Sequence, residues 1–477
     1  IIDITIENFR GFTHKFFEFD PKMNVILGDN TTGKTTLLQA VQIALGAFLQ
    51  EMTFLPGGNG YSRNFRPTDQ VKVYSESSKG FIPIAEKPSI EVKAECVIGR
   101  YNESTQQINT SVNHIGWKRS SNKNSKSNAQ ELMDFVADIE NRRRNADKEG
   151  TNSLFPLFLS FGATRLEKNY KGAEKTKQRE TREAKAYKCA LDEQVDFKGA
   201  FDWIYRYEKS FNKGGEFVGT NEAFLNAIKE AIPAIHQIDI DTKNNEFTAL
   251  IKMTKDDAPY WLTYDMMSAG FKAMINIAAE IAHRCIELNG FLGVDAVKKT
   301  PGIIMIDEVD LYLHPHWQQH ILSDLQKAFP EMQFIVTTHS PFIVQSVKSQ
   351  NVITLDDVIN GIYNDRDIQN LNTAERYATT MGLSQVEEEH LDKVLCTLVH
   401  LREFQKDNTN QYYHQESIYC IGKHDTEQYI EENRRYGRRV NLSLTRKAEA
   451  LNGSFHRLCK ARIGKKYRYI LILRRSI

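Results

Sequence analysis

The stretch Gly28-Asp29-Asn30-Thr31-Thr32-Gly33-Lys34-Thr35-Thr36 decides the fold. Gly28, Gly33, Lys34 and Thr35 meet the spacing of a phosphate-binding loop, GxxxxGK[ST]. The flanks agree with it. Val25-Ile26-Leu27 ahead predicts a buried strand, and residues 37–45 behind predict a helix. A strand, a glycine turn and a helix N-terminus gather backbone N–H groups around one point, which suits a phosphate chain. In such a loop Lys34 reaches the β and γ phosphates and the Thr35 hydroxyl ligates magnesium. Asn30, Thr32 and Thr36 complete the expected nucleotide-binding set.

A second half of the site lies far downstream. Gly302-Ile303-Ile304-Met305-Ile306 is apolar throughout, as a parallel strand buried on both faces must be, and it ends in Asp307-Glu308. Carboxylates there emerge where open α/β sheets bind ligands. Asp307 is expected to hold magnesium and Glu308 to polarise the attacking water. The next apolar run, 333–337, leads through Thr338 to His339, placed to contact the γ-phosphate. Met267-Ser268-Ala269-Gly270 opens a helix whose start is a further anion site, through Ser268 and Gly270. Glu308, His339 and Lys34 are the expected catalytic residues.

Composition sets the frame. At 477 residues, 26% charged and 41% apolar, the chain suits two or three globular domains. No apolar stretch approaches the roughly 20 residues that span a bilayer, so no membrane partner is expected. No Met precedes Ile1, and the natural start is expected to lie upstream. The six cysteines are scattered without a CxxC pair, which points away from zinc and disulfides and toward a reducing, cytoplasmic setting. Net charge is +1, yet residues 434–477 carry fourteen Lys or Arg and one acid. That +13 tail leaves −12 on the rest, an asymmetry suited to nucleic acid or an acidic partner surface, or to a basic face that neutralises the acidic body.

Along the chain, alternation predicts strands over 89–98 and 107–117, and residues 118–128 read as a polar mobile loop. Helices are expected over 130–144, 200–212, 221–232, 274–288 and 317–329. Residues 154–161 read as a central strand, 235–241 and 247–253 as strands, and 351–405 as mostly helical. The expected domains are 1–117 and 261–350 as the two parts of an α/β head with a mixed sheet. Residues 118–260 form a helical insertion, and 351–477 a mostly helical, basic docking region.

The order of loop, SxG helix, acidic strand and His resembles ABC-type P-loop ATPases. Glu7-Asn8-Phe9-Arg10-Gly11-Phe12, the stretch 307–315 and Thr337-Thr338-His339-Ser340-Pro341 are similar to the SMC, RecF and OLD branch. The resemblance implies ATP and magnesium as cofactors. It also implies a homodimer in which Ser268 and Gly270 of one copy cap the phosphate held by Lys34 of the other. Two departures stand out: Thr31 replaces a family glycine, and Met267 replaces the usual Leu, so slow hydrolysis is expected. Long heptads are missing, which points to compact members.

Among these, residues 157–165, 201–208 and 372–385 are similar to the ATPase subunits of Septu-type anti-phage systems, including those attached to retrons. That resemblance implies an HNH-type nuclease subunit as partner. For the retron version it also implies a reverse transcriptase and its RNA–DNA product, msDNA. Two alternatives remain: an OLD-type nuclease with a C-terminal Toprim domain, and a RecF-like DNA repair clamp. Residues 417–425 resemble a Toprim start, but Ile421-Gly422 and Arg474-Arg475 stand where its metal-binding acids belong.

Overall fold

Two apolar runs far apart in the sequence, Met23–Leu27 and Gly302–Ile306, become strands of one parallel sheet. The structure, a computed structural model, describes residues 1–28, 32–55, 61, 63–75, 80–121, 125–127, 129–163, 181–192, 219–241, 246–252, 258–355, 418–419 and 471–472. Ile1–Leu355 form one unit and Asp356–Ile477 a second.

The first unit begins with a hairpin of β1 (Asp3–Phe9) and β2 (Phe12–Glu18), followed by β3 (Met23–Leu27) and α1 (Lys34–Glu51). Two long strands, β4 (Ser89–Asn102) and β5 (Gln107–Ser120), extend the hairpin into an antiparallel sheet. Then come α2 (Gln130–Arg144), β6 (Leu157–Phe161) and α3 (Thr220–Ala231). A three-stranded meander follows, β7 (Ile235–Asp241), β8 (Glu246–Ile251) and β9 (Tyr260–Thr263). The unit closes with α4 (Ala269–Asn289), β10 (Gly302–Ile306), α5 (Ile321–Ala328), β11 (Met332–Thr338) and β12 (Val352–Thr354).

The parallel sheet runs β6-β10-β11-β3-β12. Every residue of β3, β6 and β11 is buried, which explains their apolar composition. Helix α1 joins the two sheets. It is apolar on all sides and buried from Leu37 to Leu49, as a helix covered on every face must be. Trp117 Nε1 and Arg119 Nη1 on β5 donate to its Ala44 and Ile43 carbonyls at 3.0 and 2.7 Å. On its other side Gln42 Nε2 donates to Ser160 Oγ of β6 at 2.7 Å.

Several expectations are corrected here. Residues 118–128 are not one mobile loop. Lys118–Ser120 end β5 and pair with a short strand, Ser125–Ser127. The polar composition misleads because Arg119 is fully buried, where desolvation pulls its pKa down to about 10. Strand β6 lies at the sheet edge rather than at its centre. It is apolar because Ala184 to Leu191 cover that edge, with Ser160 N–H donating to the Ala190 carbonyl at 2.8 Å. The helix expected over 317–329 breaks at His320, whose backbone leaves helical geometry. Val352–Thr354 is a strand, not a helix. The expected helix at 200–212 and nearly all of 356–477 lie outside the described residues. In the second unit Ile418–Tyr419 pairs antiparallel with Leu471–Ile472.

Helix α5 carries a testable charge. Burial pushes the Asp324 carboxyl up to about 6, against about 3.9 in an unfolded chain. Below pH 4 both states hold the proton and nothing is lost. As pH rises from 4 to 6 only the unfolded state ionises, so folding weakens and the penalty persists above pH 6. Asp324→Asn is therefore expected to add about 1–2 kcal/mol at pH 7 and nothing at pH 4. Thermal melts at the two pH values check this; an equal gain at both would rule out the buried charge as its source.

Candidate functional site

The sheet order sets three strand ends side by side. Leu27 at the end of β3 pairs with Thr338 of β11, and Val336 of β11 pairs with Ile306 at the end of β10. Gly28, His339 and Asp307 thus leave adjacent carboxyl ends, where parallel sheets place their ligands. The phosphate loop and the acid pair are separated by β11 alone.

Lys34 is buried at 7% exposure, and its Nζ donates to the Gly28 carbonyl at 2.7 Å. The ammonium therefore lies across the start of the loop. Gly33 caps α1 at φ 105, ψ 15, a region that side-chain-bearing residues rarely enter. A Cβ there would sit 2.6 Å from Phe12 Cζ, so β2 closes onto the loop from behind. At Gly28 a Cβ would lie 2.5 Å from Thr32 Oγ1. Asn30 and Thr31 fall outside the described residues.

Thr35 Oγ1 donates to Asp307 Oδ2 at 2.8 Å, which joins the two halves of the site. The other carboxylate oxygen, Oδ1, accepts from Thr337 Oγ1 at 2.5 Å. Thr337 Oγ1 in turn accepts from the Glu308 N–H at 2.8 Å. Glu308 has φ 49, a left-handed backbone uncommon for a residue with a side chain. A hydroxyl and a carboxylate in contact are hard oxygen donors, the kind magnesium takes from a protein. Among the described residues no group of three or more His, Cys, Asp or Glu could hold a metal. Thr35 and Asp307 thus fit a cation that draws its other ligands from phosphate and water.

His339 is half-buried directly after β11. Its neighbours are tied to the turn that follows the acids. Thr338 Oγ1 bonds Asp310 Oδ1 and accepts from the Ser340 N–H, and Ser340 Oγ donates to Gln318 Oε1 at 2.5 Å. Gly270 lies against this same turn, two residues after Ser268. Ser268 caps α4, accepting from the Phe271 N–H at 3.4 Å. A Cβ on Gly270 would lie 2.6 Å from the Tyr312 carbonyl oxygen, so only glycine fits. Met267 is buried, and Leu↔Met exchange at such a position conserves volume.

Sequence reasoning missed Phe12, Thr337 and Thr338. A pair of threonines closing a fully buried strand was the available signal, because buried hydroxyls need partners. A mainly apolar cavity of about 750 Å³, lined by Leu45, Phe48, Trp117, Phe135 and Phe158 and edged by Lys22, Glu95 and Glu331, includes none of the site residues.

The chain matches the family profile described as "AAA domain, putative AbiEii toxin, Type IV TA system" over residues 23–345. It is 26% identical over 412 residues to the Retron Ec83 probable ATPase of Escherichia coli, covering 74% of this chain and 70% of that protein. It is 23% identical over 404 residues to the Retron Vc95 probable ATPase of Vibrio cholerae serotype O1 biovar El Tor, covering 75% and 73%. Over 130 residues it is 32% identical to the Septu protein PtuA of Bacillus thuringiensis, covering 26% and 30%.

Proposed function

This chain belongs to that AAA-domain family, and from that premise we propose that it is an ABC-type ATPase of the SMC/RecF branch, a regulatory subunit of a defence system that dimerises around ATP. In this reading the closed dimer controls an HNH-type nuclease in a cytoplasmic anti-phage complex. A retron reverse transcriptase and its RNA–DNA product are further partners, and the basic stretch 434–477 contacts nucleic acid. Among the described residues no helix is long and apolar enough to cross a membrane.

One observation carries the dimer. Thr35 is bonded to Asp307 at the carboxyl ends of the inner strands, beside Lys34 and Glu308, while Gly270 at the start of α4 is held against the Tyr312 carbonyl. A second copy would supply its Ser268 and the start of α4 to the phosphate held by the first. Lys34 and the loop N–H groups from Gly28 to Thr36, with Asn30 and Thr32, bind the phosphates. Thr35 and Asp307 hold the magnesium, which when bound neutralises phosphate charge. Glu308 accepts the proton of the attacking water, and His339 contacts the γ-phosphate.

Residues 1–117 and 261–350 form the two parts of the head. Residues 118–260 form a lobe that also lends β6 to the sheet, and 351–477 lend β12 to it and then dock partners. The alternative, a Toprim nuclease, draws on the pairing of Ile418–Tyr419 with Leu471–Ile472. Ile421 and Arg474-Arg475 stand where its metal-binding acids belong, so that reading gives a docking fold without a metal centre.

The test is light scattering with and without a non-hydrolysable ATP analogue, on protein purified under native conditions from its host. The particle mass of the isolated chain should double with the analogue, and a nuclease subunit should co-purify. A mass unchanged at saturating analogue would refute the dimer; a preparation free of nuclease and nucleic acid would refute the complex.

A further inference from the structure

Thr337 is fully buried and makes three contacts with consecutive residues of the acidic turn. Its hydroxyl donates to Asp307 Oδ1 at 2.5 Å and accepts from the Glu308 N–H at 2.8 Å. Its carbonyl accepts from the Val309 N–H at 2.9 Å. One hydroxyl has one proton and two lone pairs, so the two side-chain bonds are compatible only in this sense.

The geometry explains why such a clamp is needed. Strand β10 pairs with β6 and β11 as far as Ile306, and the Asp307 N–H still donates to Phe161 on β6 at 2.8 Å. At Glu308 the chain swings toward β11 through the left-handed φ of 49. A backbone of that kind persists only where its surroundings over-determine it. Asp307 is fixed from both sides: Thr35 donates to Oδ2 and Thr337 to Oδ1. The orientation of Asp307 and the turn that aims Glu308 therefore share one buried oxygen.

Resting on the ATPase assignment above, we infer that Thr337 is a positioning residue for hydrolysis, whose single hydroxyl sets Asp307 and Glu308 together. In this inference it acts through the two acids it contacts. Valine has the same shape without the hydroxyl. In Thr337→Val the Glu308 N–H loses its bond to Thr337 Oγ1 and Asp307 Oδ1 loses the donor that Thr337 supplies. Serine keeps the oxygen and gives up only a methyl group.

The experiment compares steady-state ATP turnover, ATP KM and melting temperature for the wild type, Thr337→Val and Thr337→Ser. Misplacing reacting groups by about 1 Å costs on the order of a hundredfold in rate, so kcat of Thr337→Val should fall by about that factor. KM should change far less than kcat, because Lys34 and the loop N–H groups are untouched and Asp307 keeps its bond to Thr35. Thr337→Ser should recover kcat to within a few-fold of wild type. A purely structural role would lower the melting temperature of both variants without splitting kcat from KM. The inference is overturned if Thr337→Val turns over like wild type, or if Thr337→Ser is as slow as Thr337→Val. Should the valine variant fail to fold, Thr337→Ala is read against Thr337→Ser by the same criteria. A wild-type chain that does not hydrolyse ATP would instead refute the assignment on which the inference rests.

Discussion

Glu308→Gln is expected to bind ATP as the wild type does and to hydrolyse it roughly 10²–10³-fold more slowly, the usual worth of a positioned general base. The substitution keeps the shape of the side chain and removes only its capacity to take a proton. Gln tolerates the left-handed backbone at position 308 about as well as Glu does, so the turn onto Thr337 should survive. Binding is spared because the substitution leaves Lys34 and the Thr35–Asp307 contact in place. Bound ATP should therefore persist, and the dimeric species should accumulate without any analogue. Retained nucleotide measured after gel filtration, together with turnover, checks this. Turnover equal to the wild type would remove Glu308 from the role of base.

Gly33→Ala is expected to cost about 2–5 kcal/mol of stability and to weaken nucleotide binding sharply. Two terms add. An L-residue at positive φ loses about 1–2 kcal/mol. A Cβ that would fall 2.6 Å from Phe12 Cζ overpacks a filled site, typically at about 1–3 kcal/mol. Binding suffers because the N–H groups at the start of α1 are those that face phosphate. The cause is separable by a double-mutant cycle. Phe12→Ala alone leaves a cavity and is destabilising, by about 3 kcal/mol or more. Combined with Gly33→Ala, it removes the ring that the new methyl would strike, so the pair should be less damaging than the sum by about 1–3 kcal/mol. Strictly additive losses would show that the ring contact is not the obstacle. In either case the φ term remains, and the double variant should not recover wild-type affinity.

The parts of this site that were legible share a property: each is written in consecutive residues. The phosphate loop and the strand ending in Asp307-Glu308 are continuous strings whose composition follows from burial on both faces. What escaped was cooperation between strings. Phe12 and Gly33 are 21 positions apart and meet only because β2 folds back over the loop. Thr337 looked like one more strand residue until β11 was seen to run between the two halves. Polarity also misled. Lys118-Arg119-Ser120 resembles a solvated loop, yet Arg119 is the anchor of α1, its Nη1 donating to helix and loop carbonyls and its Nη2 to the Gln50 and Asn64 side chains. Val352–Thr354 is too short to show any period, and its pairing with β3 is set by tertiary position rather than by pattern.

The neighbours of β3 have a consequence for synthesis. That strand is made early, but both strands that flank it, β11 and β12, end at residues 338 and 354. On a ribosome adding about 5–20 residues per second, the nascent chain waits on the order of tens of seconds before its third strand has partners. Throughout that interval α1, apolar on every face, lacks one of its two covering sheets. The early segment is thus exposed to chaperones or to aggregation for longer than any later one. A chain that terminates before residue 332 carries the phosphate loop but lacks the sheet that would let it act.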